Sequence, residues 1–392
     1  MNTAYIDKLL ESFVEKGVPG CSLGISYKGE VIYRGWAGDA NIENGKKVDK
    51  DTVFQIYSNT KSITTVALLR LYEQGAFLLN DRVDKYLPFF KDVKVRTTDG
   101  SGEINISPAR NPLRIKNLLT MTAGIPYNGT GTMAEMDLNF DRFSMSTMEV
   151  AKRIAEVPLD FEPGTHYHYG LTFEIVAALC EELSGKPFNE FMDEMVFEPL
   201  GMKNTTFILT DDVKEKLATT YEWTGNGLEK TPSKSAVPKI TCDGPRCYSG
   251  GEGILSTLDD LLTFATMLSM YGKHNGNRII SKSTIDLMRR NHLEGQAMED
   301  FKAITAKSWP WFEGYGWGLG CRTHINPVQS GSNSSIGEFG WCGMAGTAIY
   351  CDPEKELAIA YAHQLVPCSV NLQDYCHPRV RNVAYAMIDD LS

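Results

Sequence analysis

Strand-like segments sit at the two ends of this chain and helical segments fill its middle, so a large sheet can form only by bringing the termini together. Ile6, Leu9, Leu10 and Phe13 recur at helical spacing, and Gly17 with Pro19 ends that helix. Residues 22–27 and 31–36 read as a hairpin turned through Lys28-Gly29. A long apolar helix is expected over 59–74, stopped by Gly75. Further helical patterns lie at 114–122, at 188–197, and at 172–184, where Ile175, Val176, Leu179 and Leu183 share a face. Ser256 is the expected N-cap of a helix carrying Leu261, Leu262, Phe264, Ala265 and Leu268. Strands return at 315–322, 336–341, 346–351 and 357–363, the last two flanking the turn Asp352-Pro353-Glu354-Lys355, and 380–388 closes the chain as a helix. Residues 96–111 and 222–253 read as surface insertions. The fold class is therefore α/β: an antiparallel sheet built from both termini, flanked by helices, with an inserted, mainly helical lobe. Residues 1–79 and 246–392 are expected to form a discontinuous sheet domain and residues 80–245 the helical one, with no internal repeat.

Composition removes several functional classes. With 392 residues, 42% hydrophobic and 22% charged, the chain is globular with a sizeable core. A net charge of −10 without a basic cluster argues against nucleic-acid partners. No apolar run reaches the ~18 residues of a membrane span, the best being cut by Arg70. The N-terminus lacks a basic segment followed by an apolar one, and the nine cysteines contain no Cys-x-x-Cys pair. Both features point to the cytoplasm, with the cysteines as small core residues.

Gly20-Cys21-Ser22-Leu23-Gly24 matches G-x-S-x-G, which makes a nucleophile only on a strand-to-helix elbow. Here a helix and Pro19 precede the motif and a strand follows, so Ser22 reads as a strand residue. Ser58-Asn59-Thr60-Lys61 is the stronger candidate. Residues three apart on a helix share a face, so the Lys61 amine reaches the Ser58 hydroxyl, and a buried lysine with lowered pKa can activate it. His166 and His168 lack a third ligand at useful spacing and read as structural, not as zinc ligands. No Gly-rich phosphate loop is present.

The segment Phe54-Gln55-Ile56-Tyr57-Ser58-Asn59-Thr60-Lys61-Ser62 resembles the nucleophile segment of the serine β-lactamase and penicillin-binding-protein superfamily. Leu118-Leu119-Thr120-Met121-Thr122-Ala123-Gly124-Ile125, Phe161-Glu162-Pro163-Gly164-Thr165, Tyr167-His168-Tyr169-Gly170-Leu171, Phe197-Glu198-Pro199-Leu200-Gly201-Met202 and Ser249-Gly250-Gly251-Glu252-Gly253 follow in the family's order. The resemblance covers nearly the whole chain and is strongest to class C β-lactamases and their carboxylesterase and acyltransferase relatives. It implies the class C fold, Ser58 as nucleophile, and Lys61 with Tyr169 as the proton-handling pair. The backbone N–H groups of Ser58 and Met344 are the implied oxyanion hole, and no metal or organic cofactor is implied.

Two departures bear on substrate. Leu171 stands where the family usually has Asn, and Trp341-Cys342-Gly343-Met344 stands where it usually has Lys-Thr-Gly. A tryptophan offers a flat apolar wall and no cation for a substrate carboxylate. The resemblance thus implies hydrolysis of a small acyl ester, with acyl transfer, β-lactam or D-amino-peptide hydrolysis, and a non-catalytic binding protein as alternatives. Leu171, Trp341, Gly343, Tyr127 and Tyr315 are the expected substrate contacts, Tyr315 within an aromatic cluster with Trp309, Trp311 and Phe312. Cys342 is expected to point away from the pocket.

Overall fold

The computed structural model describes residues 3–224, 227–231, 247–366, 372–389 and 391. Helix α1 (Ala4–Glu15) buries Ile6, Leu10 and Phe13 on one face. Strands β1 (Gly20–Tyr27) and β2 (Glu30–Asn41) form the expected hairpin. Lys28 (φ 52°) and Gly29 (φ 84°) both adopt the left-handed conformation that a tight two-residue turn between twisted strands requires. Strand β3 (Lys46–Lys47) follows, then helix α2 (Thr60–Glu73), helix α3 (Thr172–Ser184) and helix α4 (Leu258–Ser269). The tail supplies β4 (Tyr315–Trp317), β5 (Arg322–His324), β6 (Phe339–Gly340), β7 (Ala348–Asp352), β8 (Leu357–His363) and helix α5 (Gln373–Asp389).

These strands make one eight-stranded sheet in the order β4-β5-β6-β7-β8-β1-β2-β3, every neighbouring pair antiparallel. The two ends of the chain meet in its middle, where Cys21 of β1 faces His363 of β8 and Tyr27 faces Leu357. Side chains alternate across β1. Cys21 Sγ points at the Leu10 carbonyl of α1, whereas a Cβ on Gly24 would meet Leu262 of α4 at 2.9 Å. The two helices therefore cover opposite faces. Phe13 of α1 also packs edge-on against Tyr361 of β8 and Tyr375 of α5. Helix α2 is buried from Thr60 through Leu69, which is the condition of a helix enclosed on all sides, and it packs on α3.

Several boundaries differ from expectation for local reasons. Residues 315–322 are two strands separated by a turn in which Gly320 (φ 67°) is left-handed. Thr257, not Ser256, caps α4, its side chain accepting from Asp260 N–H. The helix expected at 114–122 spans only Ile115–Leu119, because Met121 (φ 57°) and Gly124 (φ 79°) leave the helical region. The strand expected at 336–341 shortens to Phe339–Gly340. Helix α5 begins before residue 380 and accommodates Pro378 inside it. Residues 96–111 belong to an exposed hairpin of Lys94–Thr98 with Ile104–Pro108. Of the stretch 222–253, Tyr221–Thr224 pairs with Gly227–Lys230 and with Leu365–Val366, while residues 249–251 are buried against α2 rather than on the surface. Residues 225–226 and 232–246, with the expected domain junction near 245–246, lie outside the described residues. All seven described cysteines are buried. Among the described residues no helix is long and apolar enough to cross a membrane.

Candidate active site

The segment before α2 is fixed at both edges. Strand Val53–Gln55 pairs with Leu255–Thr257, and Ile56 N–H bonds the Ile254 carbonyl at 3.1 Å. Tyr57 then takes a left-handed φ of 44°, a conformation that costs a non-glycine residue energy and recurs at functional sites. That bend delivers Ser58 in a single 3-10 turn (Tyr57–Asn59) at the head of α2. One turn on, Lys61 is fully buried with its Nζ 3.0 Å from Ser58 Oγ and 2.8 Å from the Gly251 carbonyl. Ser22 lies in the middle of β1, fully buried, far from any strand-to-helix elbow.

Two phenols flank this pair. Tyr127 Oη lies 3.3 Å from Lys61 Nζ, and the Tyr169 ring centroid lies 4.9 Å from the same nitrogen. Burial drives both phenols well above the ordinary tyrosine value, against a smaller lowering from the Ser58 hydroxyl. The rings meet at 5.8 Å because the backbone of the Tyr127 loop presses on Gly170, where a Cβ would come within 1.8 Å of the Ile125 carbonyl oxygen. Tyr127, expected only as a substrate contact, thus shares the Lys61 amine, a relation between two distant loops that spacing does not reveal.

Burial drops the Lys61 ammonium to about 8, against the opposing pull of the Glu252 and Glu174 carboxylates and with Arg142 adding to the drop. Glu252 pairs with Arg142, and Glu174 accepts from Ser249 Oγ at 2.6 Å. Burial raises the Glu174 pKa. Glu252 falls in the family-like segment 249–253, but none of these three charged groups was singled out as a site residue, since each lies on a different segment.

Ser58 opens onto a cavity of ≈ 630 Å³ walled by Phe140, Phe143, Trp309, Trp341 and Met344. Trp341 forms one wall, and its indole Nε1 donates to the Tyr169 hydroxyl at 2.8 Å. Gly343 lines the cavity as well, and a Cβ there would meet Thr347 Oγ1 at 2.3 Å and the Ile56 carbonyl oxygen at 2.4 Å. Cys342 is among the residues lining the cavity. Leu171 and Tyr315 do not line it. Leu171 is buried in the core beside α3. Tyr315 lies behind Phe312, which stacks on Trp341, and its hydroxyl bonds Glu338 and Arg381 at 3.2 Å each. Buried ion pairing claimed that phenol. His166 and His168 each bond a single carboxylate, Asp300 and Asp160, at 2.8 Å, and no group of metal-binding residues occurs among the described residues.

Residues 6–370 match the model of the family described as Beta-lactamase. Esterase EstB of Burkholderia gladioli is 26% identical over 93% of this chain and 92% of its own. Two solved structures share the fold. EstCE1, described as a hydrolase with promiscuous acyltransferase activity, superposes with a TM-score of 0.80 at 23% identity over 97% of this chain and 98% of its own. Simvastatin synthase (LovD) of Aspergillus terreus superposes with a TM-score of 0.84 at 20% identity, covering 99% of both chains. The α/β architecture is that of class C β-lactamase-like proteins.

Proposed function

The chain belongs to the beta-lactamase family, and on that premise we propose that it is a serine hydrolase cleaving small carboxylic esters through an acyl-enzyme on Ser58. One observation carries the reading: an amine whose proton affinity burial has lowered stands 3.0 Å from the Ser58 hydroxyl, at the mouth of an aromatic cavity. Neutral Lys61 takes the hydroxyl proton as Oγ attacks the ester carbonyl carbon. The N–H groups of Ser58 and Met344 hold the resulting oxyanion. On collapse the C–O bond to the alcohol breaks, and the leaving oxygen takes a proton passed from Lys61 through the Tyr169 phenol. A neutral phenol suits that shuttle, and burial keeps Tyr169 neutral. Water then attacks the acyl-enzyme with the roles reversed, which releases the acid and restores Ser58 and neutral Lys61.

Trp341 supplies no cation for a substrate carboxylate, which favours neutral esters over β-lactams. Acyl transfer is the second reading. The aromatic walls around Ser58 favour an organic acceptor, which packs there where water gains little. A p-nitrophenyl ester assay on the purified protein, with and without an alcohol acceptor, separates the two. Ser58→Ala is expected to abolish turnover and fluorophosphonate labelling while Ser22→Ala leaves both near wild type. The reverse pattern, or efficient nitrocefin hydrolysis without esterase activity, rejects the proposal.

A further inference from the structure

The loop that carries the Met344 amide is gripped from behind by α5. Gln373, in the first turn of that helix, donates from Nε2 to the Gly343 carbonyl at 2.7 Å and to the Met344 carbonyl at 3.3 Å. One helical turn later, His377 Nε2 lies 3.0 Å from the Gly346 carbonyl. Burial lowers the His377 pKa to about 4, so the ring is neutral and Nε2 is the protonated donor to that oxygen. The loop's other side is tied to the nucleophile segment. Gly343 N–H bonds the Thr347 carbonyl at 2.7 Å, Thr347 Oγ1 donates to the Ile56 carbonyl at 3.0 Å, and Asn59 Nδ2 donates to Thr347 Oγ1 at 2.9 Å.

The Gly343 carbonyl and the Met344 N–H belong to one peptide unit. A trans peptide is planar, so its C=O and N–H point in opposite directions. Fixing the carbonyl on Gln373 therefore fixes where the Met344 N–H points. A hydrogen bond accepted at the carbonyl also polarises the amide and strengthens its N–H as a donor. Gln373 itself reaches the cavity that holds Ser58. We infer that Gln373 is a positioning residue of the oxyanion hole, aiming and polarising the Gly343–Met344 peptide at the ester oxygen, with His377 as a second anchor of the same loop. The inference rests on the esterase reading above, in which the Met344 amide meets the oxyanion.

The test compares wild type, Gln373→Met, which keeps length without a donor, and Gln373→Glu, which sets a carboxylate against the Gly343 carbonyl. For a p-nitrophenyl ester, kcat is expected to fall about tenfold in Gln373→Met and further in Gln373→Glu with KM nearly unchanged, less than the ~10²–10³ of deleting an oxyanion donor outright. The affinity for phenylboronic acid, whose tetrahedral adduct on Ser58 mimics the intermediate, is expected to fall by the same factor. A general loss of structure would instead raise KM and lower the melting temperature without that parallel, and this overturns the inference. So do wild-type kcat and boronate affinity in both variants, with ester hydrolysis intact. If wild type neither hydrolyses esters nor binds the boronate, the esterase reading itself has failed and takes this role with it.

Discussion

Lys61 sits between opposing influences: burial expels its charge, while Glu252 and Glu174 retain it. Only the neutral amine accepts the Ser58 proton, so kcat/KM is expected to rise with pH through about 8 and level off above it. Glu252→Gln keeps an acceptor for Arg142 but removes a charge that favours the ammonium. The protonated form then becomes less favourable, and the rising limb moves down by roughly one pH unit. A pH–rate profile checks this, and a limb unmoved in the variant would show that Glu252 does not act on Lys61. The Ser58–Lys61 relation was legible in the sequence because a spacing of three residues spans one helical turn, which the 3-10 turn and the start of α2 together supply. Tyr127, Arg142 and Glu252 were not assigned to this group, since they come from separate segments whose approach to one another depends on tertiary packing. Tyr315, expected from its aromatic cluster, and Leu171, expected from its place in the family motif, lie outside the cavity wall because neighbouring charges and the core hold them.

At the scale of elements, the short loop between β6 and β7 is constrained from several sides. It is held by Thr347 and Asn59 on one side and by α5 on the other, and it closes tightly only because residue 343 lacks a side chain. Gly343→Ala puts a methyl carbon within 2.4 Å of the Ile56 carbonyl oxygen, a backbone atom that cannot swing aside. The loop must shift, and catalysis is expected to fall by about 100-fold or more, the scale of losing an oxyanion donor. Steady-state kinetics on the folded variant check this; near-normal kcat would mean the loop yields without cost to the amide. Long helices and the two hairpins were readable from periodicity and turn residues. This loop's anchors were not, because Gln373 binds backbone atoms 30 and 29 residues away, an interaction with no signature in residue type.

For the molecule as a whole, the placing of sheet segments at both termini was the most informative feature of the sequence, and the order of strands bears it out. Helix α1 seals one face of that sheet through Ile6, Leu10 and Phe13, all buried. At about 1.5–3 kcal/mol for each buried side chain, their loss rivals the ~5–15 kcal/mol that holds a typical protein folded. Removal of residues 3–15 is expected to abolish cooperative melting by circular dichroism, and a wild-type midpoint would show that α1 is dispensable. The adjacency of β1 and β8 also has a temporal consequence. The residues opposite 21–27 are 357–363, so during synthesis the first strands leave the ribosome long before their central partner exists. The nascent hairpin of β1 and β2 must wait, with one edge unsatisfied, while the intervening residues are made, and Ser58 gains its surroundings only when β7, β8 and α5 arrive.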